Sequence, residues 1–257
     1  MREFVFLQIS LLLSLCYTEN HWTNLEEFEN DILIKEDTIP GLLPGGNAGI
    51  IHHVTKQRKS KDSPPKLWPK GRVPFKFATN RFYFTQEEKK EVRRAMKEFH
   101  RKTCIKFVNR RRERNFIKIV KVNARGETDV CQSYVGKMGG GQEVTLGSWC
   151  YTKETIIHEL MHALGFYHEH TRAKSKEFVT IKRHFNKDGE DVDFKITRRH
   201  HPVVARSPYD ICSIMHYDSY TLIDKNDNDR HCPYPMGEAK TFSKRDLDRL
   251  LKMYKCY

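Results

Sequence analysis

The residues with the most chemistry to offer are gathered in one stretch, His158-Glu159-Leu160-Met161-His162-Ala163-Leu164-Gly165-Phe166-Tyr167-His168. On a helix, His158 and His162 project from one face a single turn apart. Their imidazoles can therefore converge on one ion at about 2.0–2.1 Å. Gly165 tolerates a left-handed backbone turn, so the chain can leave the helix sharply and return His168 to the same ion. Three neutral histidines leave a fourth position open, which is the donor set of a catalytic rather than a structural zinc. Glu159 follows the first candidate ligand and is placed to take a proton from an attacking water and return it to a leaving amine. A bare pair of histidines four residues apart carries little weight, but Gly165 and His168 at fixed offsets raise it sharply. The other ten histidines, among them His52, His53, His170, His200, His201 and His216, read as non-ligands.

A helix from about Thr152 to Leu164, ended by Gly165, must carry this motif, with Ile156, Ile157, Leu160 and Leu164 anchoring it from below. An earlier helix opens with a capping box, Thr85 and Glu88, and presents Val92, Ala95, Met96 and Phe99 at helical spacing. A third starts at Ser243, with Leu247, Leu250, Leu251 and Tyr254 on one face. Strand-like runs fall at Val73–Phe77, Ile105–Val108, Phe116–Val120 and Glu143–Leu146. The pattern is α+β: a small sheet and two long helices up to the metal motif, then a mostly irregular half closed by a terminal helix. Compact structure is expected to begin near Trp68.

The 257 residues suffice for one catalytic domain and a short extra segment. Residues 1–16 are a short apolar run opening at the N-terminus, with Ser14 and Cys16 suited to cleavage, and read as a secretory signal. No later segment is apolar enough for a membrane span. Without the signal, six cysteines remain at 104, 131, 150, 212, 232 and 256; an even number in an exported chain suggests disulfides, and counting leaves fifteen connectivities open. The first 58 residues carry 4 Lys or Arg against 8 Asp or Glu, and the remainder 42 against 25. That excess suits polyanions such as sulfated glycans or acidic matrix, and equally a solvated surface kept for solubility. Nucleic acid is set aside for an exported chain. Residues 17–58 have little periodicity, are rich in Gly and Pro around Pro40–Gly46, and read as an extended segment. Lys56 to Lys61 form a basic cluster open to proteolysis.

Further on, Ser213-Ile214-Met215-His216-Tyr217 follows the histidine motif. Together the two resemble the metzincin zinc endopeptidases, with Met215 in the Met-turn. His158 through Arg172, with the Ser213–Tyr217 run, resembles the astacin family in particular. Trp68-Pro69-x-Gly71-x-Val73-Pro74-Phe75, Thr103-Cys104-Ile105-x-Phe107 and Cys131-x-Ser133-x-x-Gly136 extend the likeness over about residues 59–257.

The resemblance implies a secreted, monomeric zinc endopeptidase acting on proteins or peptides. Its parts are a signal peptide (1–16), a propeptide (17–58) and a catalytic domain (59–257) only. It implies that Tyr217 is a fifth zinc ligand that swings away to stabilise the oxyanion. The strand at Glu143–Leu146 would be the cleft edge that an extended substrate joins. Disulfides would join Cys104 to Cys256 and Cys131 to Cys150; Cys212 and Cys232 match no defining pair of the family and are left to each other. Phe28-Glu29-Asn30-Asp31 resembles the family's latency motif, in which Asp31 would bind zinc in the precursor. A trypsin-like protease would cut at Arg58-Lys59, and the new ammonium would fold toward Glu169. Acidic family positions are lysines here, at Lys174 and Lys176. The rival readings are a catalytically silent zinc-binding adhesive protein, which intact Glu159 and Tyr217 oppose, and a matrixin- or adamalysin-like protease, which Glu169 and Tyr217 oppose.

Overall fold

The computed structural model describes residues 32–33, 63–79, 83–123, 126–182 and 196–257. The signal segment, Asp31 and the Arg58-Lys59 bond lie outside the described residues.

The first half builds a six-stranded sheet. Its strands are β1 (Ile32–Leu33), β2 (Arg72–Phe77), β3 (Lys106–Asn109), β4 (Phe116–Val120), β5 (Cys131–Tyr134) and β6 (Gly141–Leu146), in the order β1-β5-β6-β4-β2-β3. All pairings are parallel except β5 with β6. Alternation along β2 and β4 turns Val73, Phe75, Ile117 and Ile119 to one face, where they are buried, and Arg72, Lys76 and Lys118 to the other. The buried face receives α1 (Gln86–Lys102) and α2 (Lys153–Ala163). Thr85 and Glu88 form the expected capping box, and Val92, Ala95, Met96 and Phe99 are all buried.

The strand order corrects one expectation. β6, which contains Glu143–Leu146, lies between β4 and β5 and is interior, and β1 pairs with β5 outside it. Cys131-Gln132-Ser133-Tyr134 alternates buried and half-buried residues but is too short and polar to stand out as a strand.

After α2 the chain is largely irregular, holding α3 (Ser175–Phe178), β7 (Val179–Ile181), α4 (Pro202–Arg206) and β8 (Leu222–Asp224) before α5 (Lys244–Tyr254). α5 starts at Ser243 as read from the sequence, with that residue as its cap. The buried face of α5 differs: it consists of Asp246, Arg249, Leu250, Met253 and Tyr254, while Leu251 is only half-buried. Two charged residues beside the expected stripe of Leu247, Leu250, Leu251 and Tyr254 are buried, because both find partners inside the fold. Disulfides join Cys104 to Cys256, Cys131 to Cys150, and Cys212 to Cys232. No described helix is long and apolar enough to cross a membrane.

Candidate metal centre

Thr152 opens α2 by accepting the amide of Thr155, and the helix then carries half-buried His158 and buried His162 on one face, with buried Glu159 next to His158 in the chain. Trp68 fixes the far end of that helix, donating its indole N–H to the Ala163 carbonyl at 2.9 Å. At Gly165 the backbone takes φ of 108°, a conformation open to glycine, and a Cβ there would meet Leu67 and Pro65 at 3.3 Å. The chain turns back there and brings His168 over the helix.

The result is a tight triangle. His158 Nε2 lies 3.1 Å from the Nε2 of both His162 and His168, and His162 Nε2 lies 3.2 Å from that of His168. An ion about 2.05 Å from three nitrogens at tetrahedral angles demands edges of about 3.3 Å. Three imidazole nitrogens cannot satisfy one another at this spacing, so the convergence fits a shared cation. The opposite ring nitrogens are already committed. His158 Nδ1 meets the Ile214 carbonyl at 2.7 Å, and His162 Nδ1 meets that of Phe166 at 2.8 Å. As N–H donors to carbonyls they fix the tautomer that leaves both Nε2 lone pairs turned inward. Among the described residues, these three histidines form the group able to hold a metal. Glu159 is buried beside them.

The floor is the turn at Ser213–Tyr217. Met215 is buried, its carbonyl accepts the Glu169 amide at 2.8 Å, and the Tyr217 ring lies 4.7 Å from that of His168 and 4.0 Å from that of His170. This turn is held from α5. Asp246 accepts the Ser213 hydroxyl at 2.6 Å and the Ile214 amide at 2.9 Å, while also completing the α5 capping box. Burial, then the nearby Asp210 charge, push the Asp246 carboxyl up to about 6. The carbonyl that orients His158 therefore belongs to a residue pinned by the terminal helix. Tyr209 donates to His216 Nε2 at 2.6 Å, because Nδ1 of that ring already faces the Tyr217 carbonyl. Burial lowers the pKa of His216, keeping it neutral.

Glu169, next to His168, is enclosed. It accepts Arg172 at 2.5 Å, a two-pronged contact from Arg249 at 2.9 and 3.0 Å, and the Asp210 amide at 2.7 Å. The position expected to receive a new terminal ammonium is thus already served by two guanidinium groups. Arg172 also donates to the carbonyls of Val204, Ser207 and Pro208. Sequence reasoning did not single out Asp210, Asp246 or Arg249. Asp246 and Arg249 showed only as polar residues at helical spacing among the leucines of α5, and Asp210, in the irregular segment before Ser213, had no local signal.

The sequence profile of the Astacin peptidase family matches residues 60–255. The zinc metalloproteinase nas-7 of Caenorhabditis elegans is 32% identical over 245 residues, covering 91% of this chain and 61% of its own. Zinc metalloproteinase nas-8 of Steinernema carpocapsae is 33% identical over 207 residues, covering 78% and 47%. The chain therefore spans about half to three-fifths of the length of these relatives. Among solved structures, the hatching enzyme zinc-protease High choriolytic enzyme 1 of Oryzias latipes superposes with a TM-score of 0.61 at 28% identity, covering 77% of this chain and 97% of the other. The histidine triangle, the turn beneath it and a match over almost all of the described C-terminal two hundred residues place this chain in the astacin family.

Proposed function

We propose that the chain is a secreted zinc-dependent endopeptidase made as a latent precursor. The observation that carries this reading is the convergence of three Nε2 atoms within 3.2 Å, with Glu159 buried on the helix that supplies two of them. A zinc ion held by His158, His162 and His168 supplies Lewis acidity toward a peptide carbonyl and a water. Glu159 accepts the proton of the attacking water and passes it to the departing amine, so no covalent intermediate forms. Tyr217 would be available as a further zinc ligand, and its hydroxyl would donate a hydrogen bond to the oxygen that gains charge. An extended protein or peptide substrate adds along β5.

Latency has its own support. β1 pairs in parallel with β5 through Ile32 with Ser133 and Leu33 with Tyr134, which covers the edge that substrate would use. Ile32 packs on Val135 and Tyr167, the residue before the third candidate ligand. Asp31 directly precedes this strand and is the residue proposed to take the zinc position reserved for water. A trypsin-like cut at Arg58-Lys59 removes residues 17–58 and frees the edge. Disulfides favour an extracellular setting, where the mature domain acts as a monomer and polyanionic matrix or sulfated glycans are available partners.

The test is Glu159→Gln in the matured chain. It should retain one zinc per chain by metal analysis and lose peptidase activity by at least about 100-fold, because the amide cannot accept the proton. Zinc-loaded Glu159→Gln protein with undiminished activity overturns the mechanism.

A further inference from the structure

The sheet face turned away from α1 and α2 has a composition that stability alone does not favour. Paired residues in a sheet share a face, so Lys76 lies directly across from Lys118; Arg72 is in register with Lys106, whose ammonium reaches round the sheet edge to the His100 carbonyl of α1 at 3.1 Å. Like charges facing one another at roughly 5 Å repel, and such pairs weaken a sheet. Here Lys76 and Lys118 make such a pair, with Arg72 on the same face of β2 four residues before Lys76.

The loop between β3 and β4 adds to this face and is built to present charge. Glu113 organises it, accepting the Arg111 amide at 2.7 Å and pairing with Arg72 at 3.4 Å, while the Arg110 side chain donates to the Glu113 carbonyl at 2.9 Å. These contacts lower the pKa of Glu113, through the amide bonds first. Arg110 is folded over the Phe116 ring at 4.0 Å, with Lys76 over the same ring at 5.5 Å. Arg111, Arg112 and Arg114 remain exposed, and among the described residues their guanidinium groups have no acidic partner. Among the described residues, Glu113 and Glu143 pair with cations of this cluster, the latter with Lys118 at 3.0 Å.

We infer that this outer sheet face, with the Arg110–Arg114 loop, is a binding surface for a linear sulfated glycan. A flat array of cations at regular strand spacing recognises a chain of strong anions without a pocket. Stacking of nucleic-acid bases finds no free ring, since Phe116 is covered by its own cations. An acidic protein partner needs an apolar centre, and among the described residues none of the exposed large apolar side chains belongs to β2, β3, β4 or the Arg110–Arg114 loop. β3 lies four strand spacings from β5, roughly 19 Å, and β4 with Lys118 two spacings, on the sheet side away from the helix that carries His158 and His162. The surface is therefore separate from the cleft, and glycan can be held there while the cleft remains open.

Binding of the full-length chain to immobilised heparin, measured across a salt series, tests this without any activity readout. The wild type should bind at physiological salt, and selectively desulfated heparin should not compete. Arg111→Gln/Arg112→Gln/Arg114→Gln should reduce the slope of log K against log salt by about two to three, near one per lost contact. A charge-matched control on the exposed side of α1, Lys90→Gln/Arg94→Gln/Lys97→Gln, should leave the slope within about one of wild type. Equal losses in the two triple variants would mean a diffuse field only. That result, or equal competition by desulfated heparin, overturns the proposal.

Discussion

His200 illustrates how much of the centre depends on residues that touch no metal. Thr171 gives its hydroxyl proton to the His168 carbonyl at 2.8 Å, so its oxygen accepts from His200 Nε2 at 3.2 Å. That chain links a buried neutral imidazole to the backbone of the third candidate ligand. Burial first, then the Arg172 and Arg249 charges, lower the His200 pKa to about 3. Its value in the unfolded chain is near 6.5. Between these values the unfolded chain binds a proton that the folded chain refuses, so stability falls as pH falls from about 6.5 toward 3. The expected slope from this one group is about 1.4 kcal/mol per pH unit. His200→Gln keeps a donor for Thr171 without the titration. Urea unfolding of wild type and variant at equal zinc load should show a shallower acid limb in the variant; parallel limbs would place the acid sensitivity elsewhere.

At the scale of elements, α5 is a brace as much as a core helix. Its apolar residues Leu250 and Met253 enter the main core, and its N-terminal turn holds Ser213 and Ile214 through Asp246. One turn further on, Arg249 forks onto Glu169 and donates to Ser207 and the Pro208 carbonyl. One helix therefore fixes both the turn under the site and the residue after His168. Arg249→Ala leaves the Glu169 carboxylate with less compensation in a buried place, and such breaks cost about 3–5 kcal/mol. Arg249→Lys keeps the charge but not the fork and should lose less. Denaturant midpoints of both variants, with zinc affinity alongside, check this. A loss in Arg249→Ala within about 0.5 kcal/mol, the range of an ordinary surface substitution, would contradict the bracing role. The Cys212–Cys232 bridge, closing a separation of 20 residues, ties the segment after the same turn.

For the molecule as a whole, the segment proposed as a precursor meets the rest of the sheet where β1 pairs with β5. Two proposed contacts divide the work of latency: Asp31 at the metal, and β1 along β5. Asp31→Ala should make the uncleaved precursor active against a short peptide while leaving β1 in place. Ile32→Pro removes an amide proton from the edge pairing and an apolar contact with Val135 and Tyr167, and should raise basal activity by a smaller factor. A zinc-loaded Asp31→Ala precursor that stays silent would assign latency to steric cover alone.

What the sequence determined by itself is short-range. The histidine spacing, the Gly165 turn, the capping box at Thr85, the helix start at Ser243 and the apolar stripe of α1 all act within a few residues, where helical periodicity converts spacing directly into geometry. The tertiary structure decided whatever depends on distant partners. The order of strands made β5 rather than β6 the neighbour of β1. The burial of Asp246 and Arg249 rests on Ser213, 33 residues away, and Glu169, 80 residues away. Facing cations on the outer sheet exist only once β2 has β4 beside it in register. Charges are tolerated in such places because the fold supplies their partners, and no local pattern announces a partner that the chain meets only after it has folded.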